Sequence, residues 1–222
     1  MSDYIELACT TAYSFLHGAS HPGEMVEQAI KLGHNGIGIA DRNTVSGVVR
    51  AKIAIKLMRE AGKHVPDDFQ LVTGARLVFA DGTSDIIAYP ETRYGWGRLT
   101  RLLTVGNRRA KKGECELYLS DLLEHIDDLL LIAMPGATVE LLETLRKAAR
   151  KRVWLGAVMN RAGRDARQLM RAHDLARQAR VPLLALNDAL YARLDDRPLQ
   201  DVMTAIRLHT TVQKAGRSLL AH

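Results

Sequence analysis

The sequence is poor in several features, and each shortage excludes a class of protein. Its only cysteines, Cys9 and Cys115, cannot form a disulfide framework, which favours a reduced cytoplasmic chain. No apolar run approaches the roughly 20 residues that cross a bilayer, and the first residues show no signal-peptide pattern. Aromatic residues make up only 5%, so Ala, Leu, Ile and Val must build the core. We therefore expect a soluble, cytoplasmic chain without membrane contact.

The hydrophobic pattern predicts an α/β fold. With 47% hydrophobic residues, a chain of 222 residues is long enough to bury one large core as a single domain. Short apolar segments alternate with helical periodicity, which is typical of a largely parallel sheet. Strands are predicted near 5–10, 36–40, 70–74, 77–79, 85–89, 129–133, 153–158 and 182–186, and helices near 22–33, 48–61, 94–106, 139–150, 166–179 and from 198. Periodicity alone does not choose between an open sheet and a closed barrel.

Positive charge is unevenly distributed along the chain. The net charge is +6, and residues 93–112 hold seven Lys or Arg and no acid. Residues 146–180 hold eleven basic residues against Asp165 and Asp174. The favoured interpretation is solvated helix faces, and the alternative is contact with DNA phosphates or a partner protein. The candidates for such contact are Arg98, Arg101, Arg108, Arg109, Lys111 and Lys112.

Three segments carry the most specific pattern. The first reads YIELACTTAYSFLHGA at 4–19, the second GIADRN at 38–43, and the third LALNDALY at 184–191. They resemble the strand ends of PHP (polymerase and histidinol phosphatase) domains, and more narrowly the N-terminal domain of bacterial C-family DNA polymerases. The resemblance implies a distorted seven-stranded (β/α) barrel, similar to a TIM barrel, over residues 1–222.

Active PHP members place metal ligands where this chain has other residues. Their first strand carries H-x-H, the second ends T-D-H, and the late strand carries N-D-x-H. The corresponding positions here are Ala8, Thr10, Arg42 and Leu190. In the family, such ligands hold transition metals that activate water against a phosphate ester. The resemblance therefore predicts the PHP fold but argues against metal-dependent phosphoester hydrolysis by this domain.

Three positions that remain competent to bind metal are His17, Asp85 and Asp188. Two arginines, Arg42 and Arg76, occupy family ligand positions, and arginine cannot lose its proton to ligate a metal. We therefore expect no catalytic residue, resident metal or other cofactor in this domain. The hypothesis is that guanidinium groups replace the metal charge through ion pairs among Arg42, Arg76, Asp41, Asp85 and Asp188.

Further segments narrow the resemblance to the error-prone branch of the C-family (the ImuC type). These include DRN at 41–43, KGEC at 112–115 and RPLQDVMTAIR at 197–207. What this implies is a DNA-directed DNA polymerase for damage-induced (SOS) translesion synthesis in DNA repair, acting with accessory mutagenesis proteins and the sliding clamp. The palm, fingers and clamp-binding regions, and the Mg²⁺ of the polymerase core, would lie beyond residue 222.

Three functional classes remain open for this chain. The favoured class is a catalytically inactive module that supports the polymerase core of its own longer chain. The second is a residual metal-dependent phosphoesterase or 3'-5' exonuclease that uses His17, Asp85 and Asp188. The third is a basic module that docks DNA or a partner through the stripes at 93–112 and 146–180.

Overall fold

The computed structural model describes residues 4–161 and 163–219, in which most strands are followed by a helix. The strands are β1 Ile5–Cys9, β2 Gly36–Arg42, β3 Gln70–Leu77, β4 Ile86–Pro90, β5 Leu129–Ala133, β6 Val153–Val158 and β7 Leu183–Leu186. The helices are α1 Pro22–Lys31, α2 Ser46–Glu60, α3 Arg93–Arg109, α4 Leu119–Glu124, α5 Val139–Ala148, α6 Asp165–Ala179, α7 Arg197–Arg207 and α8 Val212–Ala215. Within these residues, we find no helix with the length and hydropathy of a membrane span.

The strands pair in sequence order in a seven-stranded sheet, from β1 to β7. The pairs β1–β2, β5–β6 and β6–β7 are parallel, whereas β4 is antiparallel to both β3 and β5. Parallel neighbours need a long crossover, but only residues 78–85 connect β3 to β4, so the chain reverses there. The predicted parallel arrangement is therefore confirmed for three pairs, and β4 is the exception.

Helix α1 shows how local sequence sets the boundaries of an element. Pro22 occupies the first turn, where its missing N–H costs no hydrogen bond. The Glu24 carboxylate accepts a hydrogen bond from the His21 backbone N–H at 2.7 Å, which closes the helix start. Met25 and Ala29 are buried on one face of the helix. The predicted helix beginning at Pro22 is confirmed.

The chain divides into two compact units, and each has its own apolar core. The first unit takes the described residues of Met1–Gly74, Asn160–Ala162 and Asn187–His222, and the second takes Ala75–Met159 and Gly163–Leu186. Fully buried side chains in the first include Val26, Ile39 and Ala51. In the second they include Ile86, Leu102, Leu131 and Leu142. The prediction of a single domain over residues 1–222 stays a prediction.

Two elements differ from the sequence prediction. Where two strands were predicted, at 70–74 and 77–79, the structure has one strand, β3, which ends at Leu77; it continues through Gly74, which does not take the positive φ of a turn. Helix α4 was not predicted, since its six residues are too few to show a periodic pattern. Asp121 closes its first turn by accepting the Tyr118 backbone N–H at 2.9 Å.

Candidate functional site

The carboxyl end of β1 lies beside the segment that follows β7 in the chain. Thr10 donates its backbone N–H to the Ala189 carbonyl at 3.0 Å. Further along, Ala19 donates its backbone N–H to the Leu190 carbonyl at 2.8 Å. These bonds bring the first-strand and late-strand segments of the sequence pattern together within the first unit.

Asp41, at the end of β2, is fully buried and surrounded by hydrogen-bond donors. Its Oδ1 accepts the Thr11 backbone N–H at 2.7 Å and the Ser14 hydroxyl at 2.8 Å. Its Oδ2 accepts the Thr11 hydroxyl at 2.9 Å. Burial raises the pKa of Asp41, and the bonds from Thr11 and Ser14 oppose this rise. The carboxylate is thus satisfied by neutral donors.

This arrangement bears on one part of the ion-pair hypothesis. The hydrogen bonds that both oxygens of Asp41 accept come from Thr11 and Ser14, and the pairing of Asp41 with a guanidinium group stays a prediction. The Ser14 hydroxyl also accepts the backbone N–H of Arg42 at 2.8 Å, so Ser14 links the two residues through the main chain. A short hydroxyl near a buried carboxylate competes well with arginine, because it needs no long side chain to be ordered.

The space around Asp41 depends on a glycine. A Cβ atom at Gly47, in the first turn of α2, would lie 2.2 Å from Asp41 Oδ2 and 3.1 Å from Thr11 Oγ1. Glycine therefore allows the start of α2 to approach the carboxylate. The positive end of the helix dipole also favours the negative charge there.

His17 is held by helix α7. Its backbone carbonyl accepts the side-chain amide of Gln200 at 2.9 Å, and its Nδ1 lies 2.6 Å from Nη1 of Arg207. Arginine can only donate, so this contact uses the Nδ1 lone pair and assigns the ring proton to Nε2. Burial and the charge of Arg42 lower the pKa of Arg207. His17 therefore faces a cationic group in the first unit.

Asp188 follows β7 and takes a left-handed backbone conformation with φ 54°. Its charge raises the pKa of the Cys9 thiol, after the larger effects of burial and Glu6 and before that of Asp41. Cys9 is 2% exposed, which confirms the prediction of a small buried hydrophobic residue.

Glu6, the second residue of β1, and Thr10, which directly follows β1, are both polar and buried. The Thr10 hydroxyl, at a family histidine position, has no hydrogen-bond partner among the described residues. By contrast, both carboxylate oxygens of Glu6 accept hydrogen bonds. Its Oε1 accepts the Ala8 N–H at 2.8 Å. Its Oε2 accepts the Tyr4 hydroxyl at 2.6 Å and the Asn187 N–H at 2.9 Å. Burial and the bond to Glu6 raise the pKa of Tyr4.

Arg76 and Asp85 belong to the second unit. Arg76 is 7% exposed in β3, and its register partner in β4 is Ile87. Asp85 immediately precedes β4, and its carbonyl accepts the Met134 N–H at 2.9 Å. Extending the register makes Arg76 and Asp85 diagonal neighbours on one face, at about 7–8 Å, within reach of a long side chain.

The donor set of the first unit does not fit a resident metal ion. Asp41 directs both oxygens at donors, and His17 directs Nδ1 at Arg207. Thr10 replaces a family histidine with a hydroxyl, a weak ligand for transition metals. Throughout residues 4–161 and 163–219, the His, Cys, Asp and Glu side chains form no group of three or more that could hold a metal ion.

Sequence reasoning missed Thr11, Ser14, Glu6 and Arg207. For the first three, a weak signal exists, because a polar side chain within or directly after an apolar strand must find a partner once buried. For Arg207, no local signal exists, since 190 positions separate it from His17 along the chain.

Two of the six basic candidates in and just after α3 contact acidic or carbonyl groups of the second unit. Arg109 makes a bidentate pair with Asp121 at 2.7 and 3.0 Å and lies 4.7 Å from the Tyr118 ring centroid. Arg98 donates to the Glu124 carbonyl and lies 3.8 Å from Asp127. Arg101 and Arg108 line an open groove of about 830 Å³ that also contains Glu124 and His125. The predicted DNA or partner contact stays a prediction for all six residues.

Two proteins with similar sequences are named error-prone DNA polymerases. The chain is 47% identical to the error-prone DNA polymerase of Brucella abortus, over 99% of this chain and 20% of that protein. It is 46% identical to error-prone DNA polymerase 1 of Rhizobium meliloti, over 96% of this chain and 19% of that protein. The chain thus spans about a fifth of the length of these relatives.

Solved structures and a family match give the fold. A Bifidobacterium adolescentis protein assigned as a metal-dependent phosphoesterase superposes with a TM-score of 0.59 at 14% identity, covering 85% of this chain and 88% of that one. A Chromobacterium violaceum amidohydrolase gives 0.56 at 12%, covering 86% and 89%. These likenesses confirm the predicted α/β, PHP-type (β/α)7 fold class and nothing further. The PHP domain family matches residues 6–186, so the chain belongs to the PHP domain family.

Proposed function

We propose that this chain is a PHP domain without catalytic activity or a resident metal ion, and that it supports the core of an error-prone DNA polymerase. The observation that carries the proposal is the use of Asp41. This aspartate, which precedes the replaced histidine position Arg42, is fully buried, and three donors from Thr11 and Ser14 satisfy its two oxygens. Through these hydrogen bonds the carboxylate holds the segment that follows β1 against the end of β2, which is a structural role.

The replaced ligand positions support the loss of catalysis. Metal-assisted hydrolysis needs open coordination positions at which the metal activates water. Ala8 and Leu190 offer no ligand atom, and Arg42 carries a permanent positive charge. The surviving His17 has its Nδ1 engaged with Arg207. We infer that no nucleolytic step takes place here.

We further propose that Arg42 and Arg76 supply the positive charge that metal ions supply in active members, with Asp85 and Asp188 as partners. The diagonal register of Arg76 and Asp85 supports the second pair. Arg76 is 7% exposed, and a buried guanidinium without a counter-charge would be costly. Asp41 is not part of this proposal, since its oxygens are used by hydroxyl and amide donors.

The relatives' names and the sequence resemblance support a proposal for the role of the whole protein. We propose that the parent chain performs damage-induced translesion synthesis in the cytoplasm, with Mg²⁺ in its polymerase core. Its expected partners are accessory mutagenesis proteins, the sliding clamp and DNA. The identity of 47% to an error-prone DNA polymerase over 99% of this chain supports the assignment.

Nuclease and phosphodiesterase assays with Mn²⁺ or Zn²⁺ test the proposal. We expect no cleavage of a single-stranded DNA or a chromogenic phosphodiester above the buffer rate. A variant with Ala8→His, Thr10→His, Arg42→His and Leu190→His serves as the matched comparison, since it restores the family ligand types. Metal-dependent cleavage by the native chain that disappears in Asp188→Ala would overturn the proposal and restore the exonuclease alternative.

A further inference from the structure

The second unit contains a basic groove that belongs to neither the strand-end site nor helix α3. Its volume is about 590 Å³. It lies at the amino ends of β6 and β7, opposite to the strand ends at which the family holds its ligands. We call it the β6–β7 groove, and its lining consists of Arg146, Lys147, Arg150, Lys151, Val153, Arg180, Val181 and Pro182.

The lining has five cations and no carboxylate. Across residues 4–161 and 163–219, none of these five side chains takes part in an ion pair. The neighbouring Arg152 behaves differently, because it pairs with Glu91 at 2.8 Å and with Asp128 at 3.4 Å. Five like charges held close together repel one another, so the groove favours a ligand with several negative charges.

Helix stability explains only part of this cluster. Arg146 and Lys147 lie in the last turn of α5, where a cation complements the helix dipole. Arg150 and Lys151 lie in the following turn, outside the helix. Lys151 and Arg180 both take left-handed backbone conformations, with φ 60° and 56°. Glycine would be about 1 kcal/mol more favourable at each position, so the side chains there are not explained by backbone stability.

The side chains that line the β6–β7 groove indicate which kind of anion it would bind. Apart from the cations, it contains only Val153, Val181 and Pro182, and therefore no aromatic ring or amide that could read a base. Arginine and lysine together are typical of phosphate contacts that fix position without sequence preference. We propose that the β6–β7 groove binds the sugar-phosphate backbone of DNA independently of sequence. The choice of DNA over another polyanion rests on the proposed polymerase function.

Salt-dependent binding tests the proposal. The anisotropy of a labelled duplex and of a labelled single strand is measured with this chain between about 50 and 200 mM salt. Three to five phosphate contacts predict a slope of log K against log salt of about −3 to −4.5 for duplex DNA, and a shallower slope for the single strand. Failure of the native chain to bind either DNA at the lowest salt would overturn the proposal.

Two variants with the same change in charge locate the binding. Lys147→Gln, Arg150→Gln and Lys151→Gln together should weaken binding at least tenfold at low salt and flatten the slope by about 2 to 3. The matched control, Arg101→Gln, Arg108→Gln and Lys111→Gln, removes three cations from the α3 region. We expect the control to change affinity less than threefold, and both variants should keep the native thermal midpoint.

The other outcomes are equally decisive. An equal loss of DNA affinity in the two variants would indicate a general charge effect. A loss of affinity confined to the α3 variant would place the DNA site at α3. Either result would overturn the proposal that the β6–β7 groove binds DNA. Displacement of DNA by polyglutamate at equal charge concentration would reassign the groove to an acidic protein. None of these results depends on metal content or nuclease activity, so a failure here is distinguishable from a failure of the proposed function.

Discussion

Charged side chains have different surroundings in the two units. In the first unit, the buried Asp41 and Glu6 have their oxygens satisfied by donors within 3 Å. In the second, the five cations of the β6–β7 groove form no ion pair among the described residues. Polar groups satisfied internally hold a fold together, whereas uncompensated surface charge remains available to a ligand. The comparison therefore separates a structural site from a binding surface.

Asp41→Ala should break the structural side of this comparison most severely. We expect a loss of about 3–5 kcal/mol in the free energy of unfolding, because buried donors of Thr11 and Ser14 lose their acceptor. Urea denaturation measures the change. Asp195→Ala, an exposed aspartate in the same unit, is the control and should cost less than about 0.5 kcal/mol. Similar losses in the two variants would contradict the structural role of Asp41.

Gly47→Ala should have the next largest effect. Its Cβ would lie 2.2 Å from Asp41 Oδ2, so the start of α2 must move or the hydrogen bonds must break. We expect a cost of about 2–3 kcal/mol by chemical denaturation. Gly97→Ala in α3 is the control, since nothing lies within 4 Å of its added Cβ. That variant should be neutral or gain up to about 1 kcal/mol, and a loss as large as that of Gly47→Ala would refute the steric explanation.

Thr11→Val should destabilise the fold, whereas Thr10→Val should not. The Thr11 hydroxyl donates to Asp41 at 2.9 Å, so removing it should cost about 1–2 kcal/mol. The Thr10 hydroxyl is buried without a partner in the described part of the chain, so replacing it should be neutral or stabilise by about 1 kcal/mol. Thermal and urea unfolding compare the pair. A destabilisation by Thr10→Val would show that its hydroxyl has a partner that matters.

Acid dependence provides the mildest test, within the second unit. The Arg109 side chain lowers the pKa of Asp121 below its ordinary value of 3.8. This aspartate therefore stabilises the fold above that pH, and the contribution disappears as the pH falls through the lowered pKa. Asp121→Asn should be less stable than the native chain at neutral pH and equal to it in strong acid. Lys151→Gln in the groove should show no such convergence, since it lacks an acidic partner.

Much of the fold was predictable because it depends on local pattern. The apolar run at Val153–Val158 and the Pro22 helix start are visible in neighbouring residues, and both lie where expected. Helix α4 was not visible, since it is very short. The reversal of β4 could have been predicted, because the few residues between the strands predicted at 77–79 and 85–89 are too short for a parallel crossover.

For the candidate site, the sequence predicted only which family metal ligands are missing. The replacements at Ala8, Thr10 and Arg42 can be read from aligned motifs. The partners of the remaining residues cannot, because the Ser14 hydroxyl reaches Asp41 across 27 positions of the chain, and Arg207 reaches His17 from a distant helix. Non-local contacts of this kind appear only when the chain is folded.

Metal content tests the central claim most directly. The native chain is purified with Mn²⁺ and Zn²⁺ present, passed through a desalting column and measured by mass spectrometry for bound metal. The account predicts far less than one ion per chain and no rise in the thermal midpoint on adding either metal, with the four-histidine variant as the comparison. One or more tightly bound ions per native chain, removed by Asp188→Ala, would contradict it.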